Sequence, residues 1–159
     1  MAPTGNQSIC LAVIGGGNAA EETCRLARLV GHEAALRGWI LITGGLGGVM
    51  EAAAKGAQMA GGLTVGILPG VDRSAANPYI RIAVATGTGQ ARNAVIVHTA
   101  DALIAVDGEY GTLSEVALGL KLGKPVVGLK TPWNIPGMLL AETPGEAVEK
   151  VARILGVSP

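Results

Sequence analysis

The glycine-rich turns are the part of the sequence best suited to chemistry. They contain Gly15–Gly17, Gly44–Gly48, Gly87–Gly89 and Gly108–Gly111, and each follows an apolar run. Glycine lets the backbone approach a ligand closely and turn its N–H groups toward an anion. One such turn is often only a tight connection, whereas four at the carboxyl ends of predicted strands favour a phosphorylated ligand. The sequence therefore predicts a small phosphorylated ligand at this edge of a sheet.

The predicted ligand contacts come from these turns and from residues beside them. They are Gly16, Gly17, Gly44, Gly45, Gly47, Gly48, Thr86, Gly87, Thr88, Gly108, Glu109, Tyr110, Gly111 and Thr112, together with Arg92. No turn matches GxGxxG or GxxxxGK[ST] in the required context, so the sequence indicates neither a dinucleotide fingerprint nor a P-loop.

Arg92 lies at the start of a predicted helix, directly after the turn TGTGQ. The helix dipole disfavours a cation there by roughly 0.3–1 kcal/mol. A solvated surface arginine is the common alternative. Its position beside a glycine-rich turn favours a guanidinium that binds the ligand anion.

The turn Val106–Glu115, VDGEYGTLSE, carries two acids, Asp107 and Glu109, which would repel a phosphate. Glu115 closes the pattern Thr112-Leu-Ser-Glu, a capping box in which the glutamate folds back onto the helix start. The chain repeats this pattern at Asn18–Glu21 and Thr143–Glu146. Local sequence alone therefore favours a capping role for Glu115.

Apolar runs alternate with helix-like segments along the whole chain. The predicted strands are 9–15, 39–44, 63–68, 79–86, 102–106 and 125–130, with a short seventh at 138–142, and the predicted helices are 18–37, 49–60, 91–99, 112–122 and 143–155. Continuously apolar strands alternating with helices are typical of a parallel sheet covered on both faces. The sequence predicts one doubly wound α/β domain over residues 1–159, with residues 1–8 as a flexible N-terminus.

The composition argues against several other classes of protein. The formal net charge is zero and no Lys/Arg cluster occurs, which disfavours nucleic acid as a partner. No apolar run reaches the roughly 18 residues of a membrane span, and the first residues do not resemble a signal peptide. We therefore expect a cytoplasmic protein without a membrane partner. Cys10 and Cys24 lack metal-type spacing, so we expect small buried thiols and no metal site.

The helix predicted from Thr112 to Leu122 is apolar on two sides. The residues predicted to pack on the sheet are Leu113, Val116, Ala117 and Leu120. Leu118 and Leu122 lie on the opposite side, where a helix that covers a monomeric sheet is normally polar. We expect a homodimer to bury them, the alternative being cover by the C-terminal helix of the same chain.

Five motifs in order, GGLGGVMEAAAKGA, GLTVGILPG, GQARN, ADALIAV and GTLSE, resemble the LOG-like (SLOG) family. That family includes cytokinin riboside monophosphate phosphoribohydrolases and molybdenum cofactor carrier proteins. The resemblance covers about residues 9–155. It implies a Rossmann-like sheet, a homodimer and a ligand site at the strand carboxyl ends.

In the hydrolase branch an arginine and the glutamate of a PGGxGTxxE motif carry catalysis, and Arg92 and Glu115 match them. The resemblance implies that Glu115 stabilises an oxocarbenium-like ribose or activates water, while Arg92 holds the phosphoribosyl group or stabilises the charge that develops. The family Pro-Gly-Gly is here Asp107-Gly108-Glu109. LTVGILPG and TGTGQARN are more similar to the carrier branch.

The resemblance thus implies a binding protein most like a molybdenum cofactor carrier. The alternative is a phosphoribohydrolase that cleaves the N-glycosidic bond of nucleoside 5'-monophosphates. No cofactor is expected to be required, and the bound ligand implied is the molybdenum cofactor or a nucleoside monophosphate.

Overall fold

A seven-stranded parallel sheet forms the middle layer of the protein, seen in a computed structural model that describes residues 3–157. Its strands are β1 (Cys10–Ile14), β2 (Ile40–Thr43), β3 (Thr64–Leu68), β4 (Ile82–Ala85), β5 (Ala102–Val106), β6 (Val126–Leu129) and β7 (Leu139–Ala141). They are arranged in the order β4-β3-β2-β1-β5-β6-β7, and every neighbouring pair is parallel. The predicted doubly wound α/β fold is confirmed.

Five α-helices cover the two faces of the sheet in the described part of the chain. They are α1 (Glu21–Leu36), α2 (Val49–Met59), α3 (Arg92–Thr99), α4 (Tyr110–Lys121) and α5 (Pro144–Leu155). Successive residues of a strand point to opposite faces, so Leu11 and Val13 join one core cluster while Ala12 and Ile14 join the other. The first cluster includes residues of α1, α2 and α5, and the second includes residues of α3 and α4.

The predicted start of α1 was wrong. Ala20 is the N-cap, without a side-chain cap hydrogen bond, so Asn18 and Glu21 do not form a capping box. The preceding turn is tied to the next helix, because the Gly16 carbonyl accepts from the Val49 N–H at 3.1 Å. The turn after β1 is thus hydrogen-bonded to α2, and α1 begins only at Glu21.

The predicted start of α4 was also wrong. The helix begins at Tyr110, and Glu109 and Thr112 form its capping box. Glu115 therefore lies in the second turn and does not cap the helix. At α5 the prediction was half right: Thr143 Oγ1 accepts from the Glu146 N–H at 3.1 Å, whereas the Glu146 carboxylate accepts from Glu142.

The side of α4 that packs on the sheet was predicted only in part, since Val116 is buried and Leu120 packs partly buried against the core as expected. Its buried residues are Thr112, Glu115, Val116 and Gly119. Ala117 is exposed, and Leu118 packs partly buried against the α3 side of the core. Because α5 belongs to the other face, it does not cover Leu118 and Leu122.

The remaining differences lie at the margins of the sheet. β4 begins at Ile82 instead of residue 79, because Ile80 donates to Asn77 in a turn. Residues 3–9 contain neither helix nor strand, and Met1 and Ala2, part of the predicted flexible N-terminus, lie outside the described residues. Within residues 3–157, no helix combines the length and the apolar character needed to cross a bilayer.

Candidate functional site

A cleft of about 440 Å³ opens at the carboxyl ends of the central strands. The chain order of the strands reverses between β1 and β5, which are neighbours in the sheet. Ligands of doubly wound proteins bind in the crevice formed at such a reversal. The cleft is also of the size that small-molecule sites have.

Eight of the predicted site residues line this cleft: Gly16, Gly17, Gly44, Arg92, Glu109, Gly111, Thr112 and Glu115. The other predicted residues, Gly45, Gly47, Gly48, Thr86, Gly87, Thr88, Gly108 and Tyr110, do not line it. Among these, Tyr110 is 90% exposed and Thr86 Oγ1 donates to the Leu68 carbonyl at 2.7 Å. The structure thus brings together the residues after β1, β2 and β5, but not those of the 86–88 turn.

Several glycines shape the cleft by permitting close contact between its turns. A Cβ on Gly15 would lie 2.7 Å from the Val106 carbonyl oxygen, so β1 and β5 can end side by side only without it. Gly48 has a φ of 64°, and a Cβ there would lie 2.2 Å from the Gly16 carbonyl oxygen. These glycines are required for packing, whatever the ligand.

Arg92 begins α3 and turns inward, with only 7% of its surface exposed. Its Nε donates to the Ile67 carbonyl at 2.8 Å, its Nη1 to the Asn93 Oδ1, and its Nη2 to the Gly44 carbonyl at 3.4 Å. A guanidinium has five N–H donors, so two remain for a ligand. Burial lowers the pKa of Arg92, and the nearby Glu115 carboxylate raises it. The guanidinium nevertheless stays protonated at neutral pH.

Lys124 holds the opposite end of α3. Its Nζ donates to the carbonyls of Val97, His98 and Ala100 at 2.7, 2.8 and 2.5 Å. Carbonyls at a helix C-terminus lack intrahelical partners, and a cation suits that end of the dipole. The contact fixes α3 and therefore the position from which Arg92 enters the cleft.

Glu115 is the buried carboxylate of the site. It is 8% exposed, and its Oε2 has no hydrogen-bond partner among the described residues. Burial raises the pKa of Glu115 to about 7, against the opposing charge of Arg92. The ion pairs closer than 4 Å in residues 3–157 are Arg25–Glu22, Lys150–Glu146 and Arg153–Glu149, so Arg92 and Glu115 do not neutralise each other by direct contact.

The two acids of the 106–111 turn have separate positions. Asp107 adopts a positive φ of 55°, and its carboxylate accepts from Thr23 Oγ1 of α1 at 3.3 Å. It does not line the cleft. Glu109 does, and it forms the capping box of α4 with Thr112.

Sequence reasoning missed several residues that line the cleft, chiefly Met50, Pro69, Gln90 and Asn93. Gln90 and Asn93 flank Arg92 in GQARN, and their proximity to a predicted site residue was a usable signal. Met50 gave no signal, because an apolar residue on a helix usually belongs to the core.

A larger groove of about 740 Å³ lies between the N-terminal halves of α1 and α2 and meets the cleft at Gly17. Both acidic and basic side chains line it, and Lys55 Nζ stands 5.7 Å from the centre of the Tyr79 ring. The buried carboxylate without a partner lies in the cleft, not in this groove. We therefore assign the candidate site to the cleft.

The parallel sheet and its crevice place the protein in the Rossmann-like α/β class. Residues 8–154 match the SLOG cluster4 family, and the chain belongs to this family. The resemblance read from the motifs is thereby confirmed.

Solved structures of high similarity include two that concern the molybdenum cofactor. One is the molybdenum cofactor binding protein of the phototrophic bacterium Rippkaea orientalis, with 36% identity, a TM-score of 0.89 and coverage of 95% of this chain and 99% of that one. The other is the molybdenum cofactor carrier protein of Chlamydomonas reinhardtii, with 34% identity, a TM-score of 0.85 and coverage of 94% and 99%.

Two sequence relatives complete the comparison. An uncharacterised protein of Archaeoglobus fulgidus is 54% identical over 138 residues, which are 87% of this chain and 91% of the relative. The cytokinin riboside 5'-monophosphate phosphoribohydrolase of Mycobacterium tuberculosis is 38% identical over 123 residues, 71% of this chain and 65% of that enzyme.

Proposed function

We propose that the protein binds a phosphorylated pterin or nucleotide-like ligand in the cleft, and that it acts most like a molybdenum cofactor carrier. The observation that carries the proposal is the buried Arg92 guanidinium in a crevice at the strand reversal. Similarity to molybdenum cofactor binding proteins over almost the full chain supports the pterin phosphate.

The side chains of the cleft suit such a ligand. The two free N–H donors of Arg92 match a phosphate, which guanidinium groups bind in a bidentate manner. Glu109 and Glu115 supply acceptors for the amino and ring N–H groups along one edge of a pterin. Glycine at Gly16 and Gly17, where a Cβ would meet no atom closer than 3.4 Å, lets a flat ring lie close to the backbone.

Calorimetric titration with a molybdopterin-type ligand and with AMP tests the proposal. We expect Arg92→Ala to weaken binding at least tenfold, since it removes the only cation that lines the cleft among the described residues. Arg28→Ala is the matched control, because this exposed arginine lines the α1–α2 groove. Equal loss in both variants, or binding abolished only by Arg28→Ala, would contradict a ligand in the cleft.

The second candidate is a phosphoribohydrolase, favoured by one observation. Glu115 lies in the same cleft as Arg92 with a pKa raised to about 7, and such perturbed carboxylates serve in acid–base chemistry near neutral pH. Water would add to the anomeric carbon of the ribose as the N-glycosidic bond breaks, and the base would leave with a proton.

Release of ribose 5-phosphate from nucleoside monophosphates separates the two candidates. A carrier protein should release no ribose 5-phosphate. Turnover by the wild type on the order of 1 per second or faster would refute the carrier. In that case Arg92→Ala and Glu115→Gln should each abolish it, while Arg28→Ala should not.

The proposal includes a homodimer formed through the outer surface of α3 and α4. Only these two helices contribute to the core on this face of the sheet, within residues 3–157. Val95 and Leu122 are each 41% exposed there, and Leu118 is only partly covered. Apolar side chains left exposed on neighbouring helices are suited to contact with a second copy of the chain.

A further inference from the structure

Glu109 occupies the position where the start of α4 would otherwise bind an anion. The first N–H groups of a helix lack intrahelical partners and attract negative charge. Here Glu109 is the N-cap and forms a capping box with Thr112, whose Oγ1 accepts from the Glu109 N–H at 3.3 Å. The helix therefore already has a carboxylate at its N-terminus.

The charges of the cleft are divided between its two sides. Glu109 lies beside the turn after β1, since its Oε1 is 3.4 Å from the position of a Cβ on Gly16. Arg92 lies beside the turn after β2, since its Nη2 is 2.7 Å from the position of a Cβ on Gly44. Within residues 3–157, the charged residues that line the cleft are Arg92, Glu109 and Glu115.

Glu115 provides an independent indication that α4 faces a ligand. It lines the cleft one to two turns beyond Glu109, is 92% buried, and has no hydrogen-bond partner for Oε2 in the described residues. A buried polar atom without a partner is rare in native structures and requires an explanation. A ligand that donates N–H or O–H groups to this side of the cleft supplies one.

We propose that Glu109 is a specificity residue that keeps phosphate away from the start of α4. The ligand phosphate then binds on the Arg92 side, and the hydrogen-bond donors of the ligand meet Glu109 and Glu115. A phosphate placed on the α4 N–H groups would lie against the Glu109 carboxylate, which carries a charge of the same sign. This inference rests on the proposed binding of a ligand in the cleft.

Titration of the ¹⁵N-labelled protein with inorganic phosphate tests the proposal at the α4 amides. We expect the Gly111 and Thr112 signals of the wild type to stay in place. Glu109→Gly should show saturable shifts of these signals, with a dissociation constant at least tenfold lower than in the wild type. Glu109→Gln keeps an acceptor for the Thr112 N–H but not the charge, so its gain should be smaller.

Thr143→Gly is the matched control, because Thr143 caps α5 through the Glu146 N–H. It removes a helix cap of the same kind outside the cleft and should respond to phosphate as the wild type does. Wild-type Gly111 and Thr112 signals that shift with the affinity of Glu109→Gly would overturn the inference.

Titration with AMP separates this inference from the proposed function. If the wild type binds AMP and the Thr112 amide shifts as in Glu109→Gly, the proposed function stands and the role of Glu109 fails. If the wild type binds neither AMP nor a molybdopterin-type ligand while Glu109→Gly gains phosphate at Thr112, the role of Glu109 stands and the proposed function fails.

Discussion

The raised pKa of Glu115 makes the stability of the protein depend on pH in a direction that can be measured. Burial shifts this carboxyl from its ordinary value of 4.5 to about 7 in the folded state. Below pH 4.5 this carboxyl is protonated in both the folded and the unfolded chain, so its ionisation does not change the free energy of unfolding. Between pH 4.5 and 7 the unfolded chain loses the proton first, so the free energy of unfolding falls as pH rises. Above pH 7 the carboxyl is ionised in both states, so the free energy of unfolding stays lower by the full amount.

The magnitude follows from the two pKa values. One pH unit corresponds to about 1.4 kcal/mol, so a rise from 4.5 to about 7 corresponds to about 3 kcal/mol. Glu115→Gln keeps the shape of the side chain and cannot ionise. Relative to the wild type, we expect the variant to gain about 3 kcal/mol of stability between pH 4.5 and pH 8. In a chain of this length, that is a difference in Tm of roughly 6–12 °C.

Urea unfolding followed by circular dichroism at a series of pH values measures this difference directly. All other titrating groups are common to both proteins, so they cancel in the comparison. Glu142→Gln, at an exposed position, should follow the wild type within about 0.5 kcal/mol at each pH. Parallel pH profiles of the wild type and Glu115→Gln would refute the buried, high-pKa carboxylate.

Two further predictions test the packing of the turns and the proposed dimer. In thermal unfolding, Gly48→Ala should destabilise the protein by about 2 kcal/mol more than Gly61→Ala. Both glycines have a positive φ, but of the two only a Cβ at position 48 meets the Gly16 carbonyl oxygen. Equal losses of stability in the two variants would contradict this contact. Leu122→Glu should convert the homodimer to a folded monomer of 15.9 kDa, measured by size exclusion with light scattering. Leu36→Glu, on the other face of the sheet, should leave the dimer intact. A wild-type protein that is monomeric at micromolar concentration would refute the dimer.

Most of the fold was predictable because the strands are continuous apolar runs. A strand buried on both faces needs no polar alternation, and β1 and β5 show this pattern over their whole length. β4 was the least accurate prediction. It is an edge strand whose residues are mostly exposed, so hydrophobicity did not mark where pairing begins.

The start of α4 could not be predicted from local sequence, because two overlapping patterns compete. Thr112 lies three residues after Glu109 and three residues before Glu115, so it could form a capping box with either glutamate. Packing of α4 against residues distant in sequence favours the capping box of Glu109 and Thr112. Gly119 lies close to β5 and β6, where a Cβ would stand 3.2 Å from Leu103 and 3.1 Å from Val126. This close approach, invisible to a capping pattern, fixes which side of the helix faces the sheet.

The side of α4 that faces the sheet also bears on function. An apolar residue at position 115 would have completed the side of α4 that already packs Val116 and Leu120 on the core. Instead α4 buries Glu115 with an unpaired oxygen, at a cost of about 3 kcal/mol near neutral pH. Natural sequences violate the rules of core packing chiefly at functional sites. A carboxylate kept at this cost beside Arg92, in a cleft at the strand reversal, is therefore better explained by binding or chemistry in the cleft than by stability.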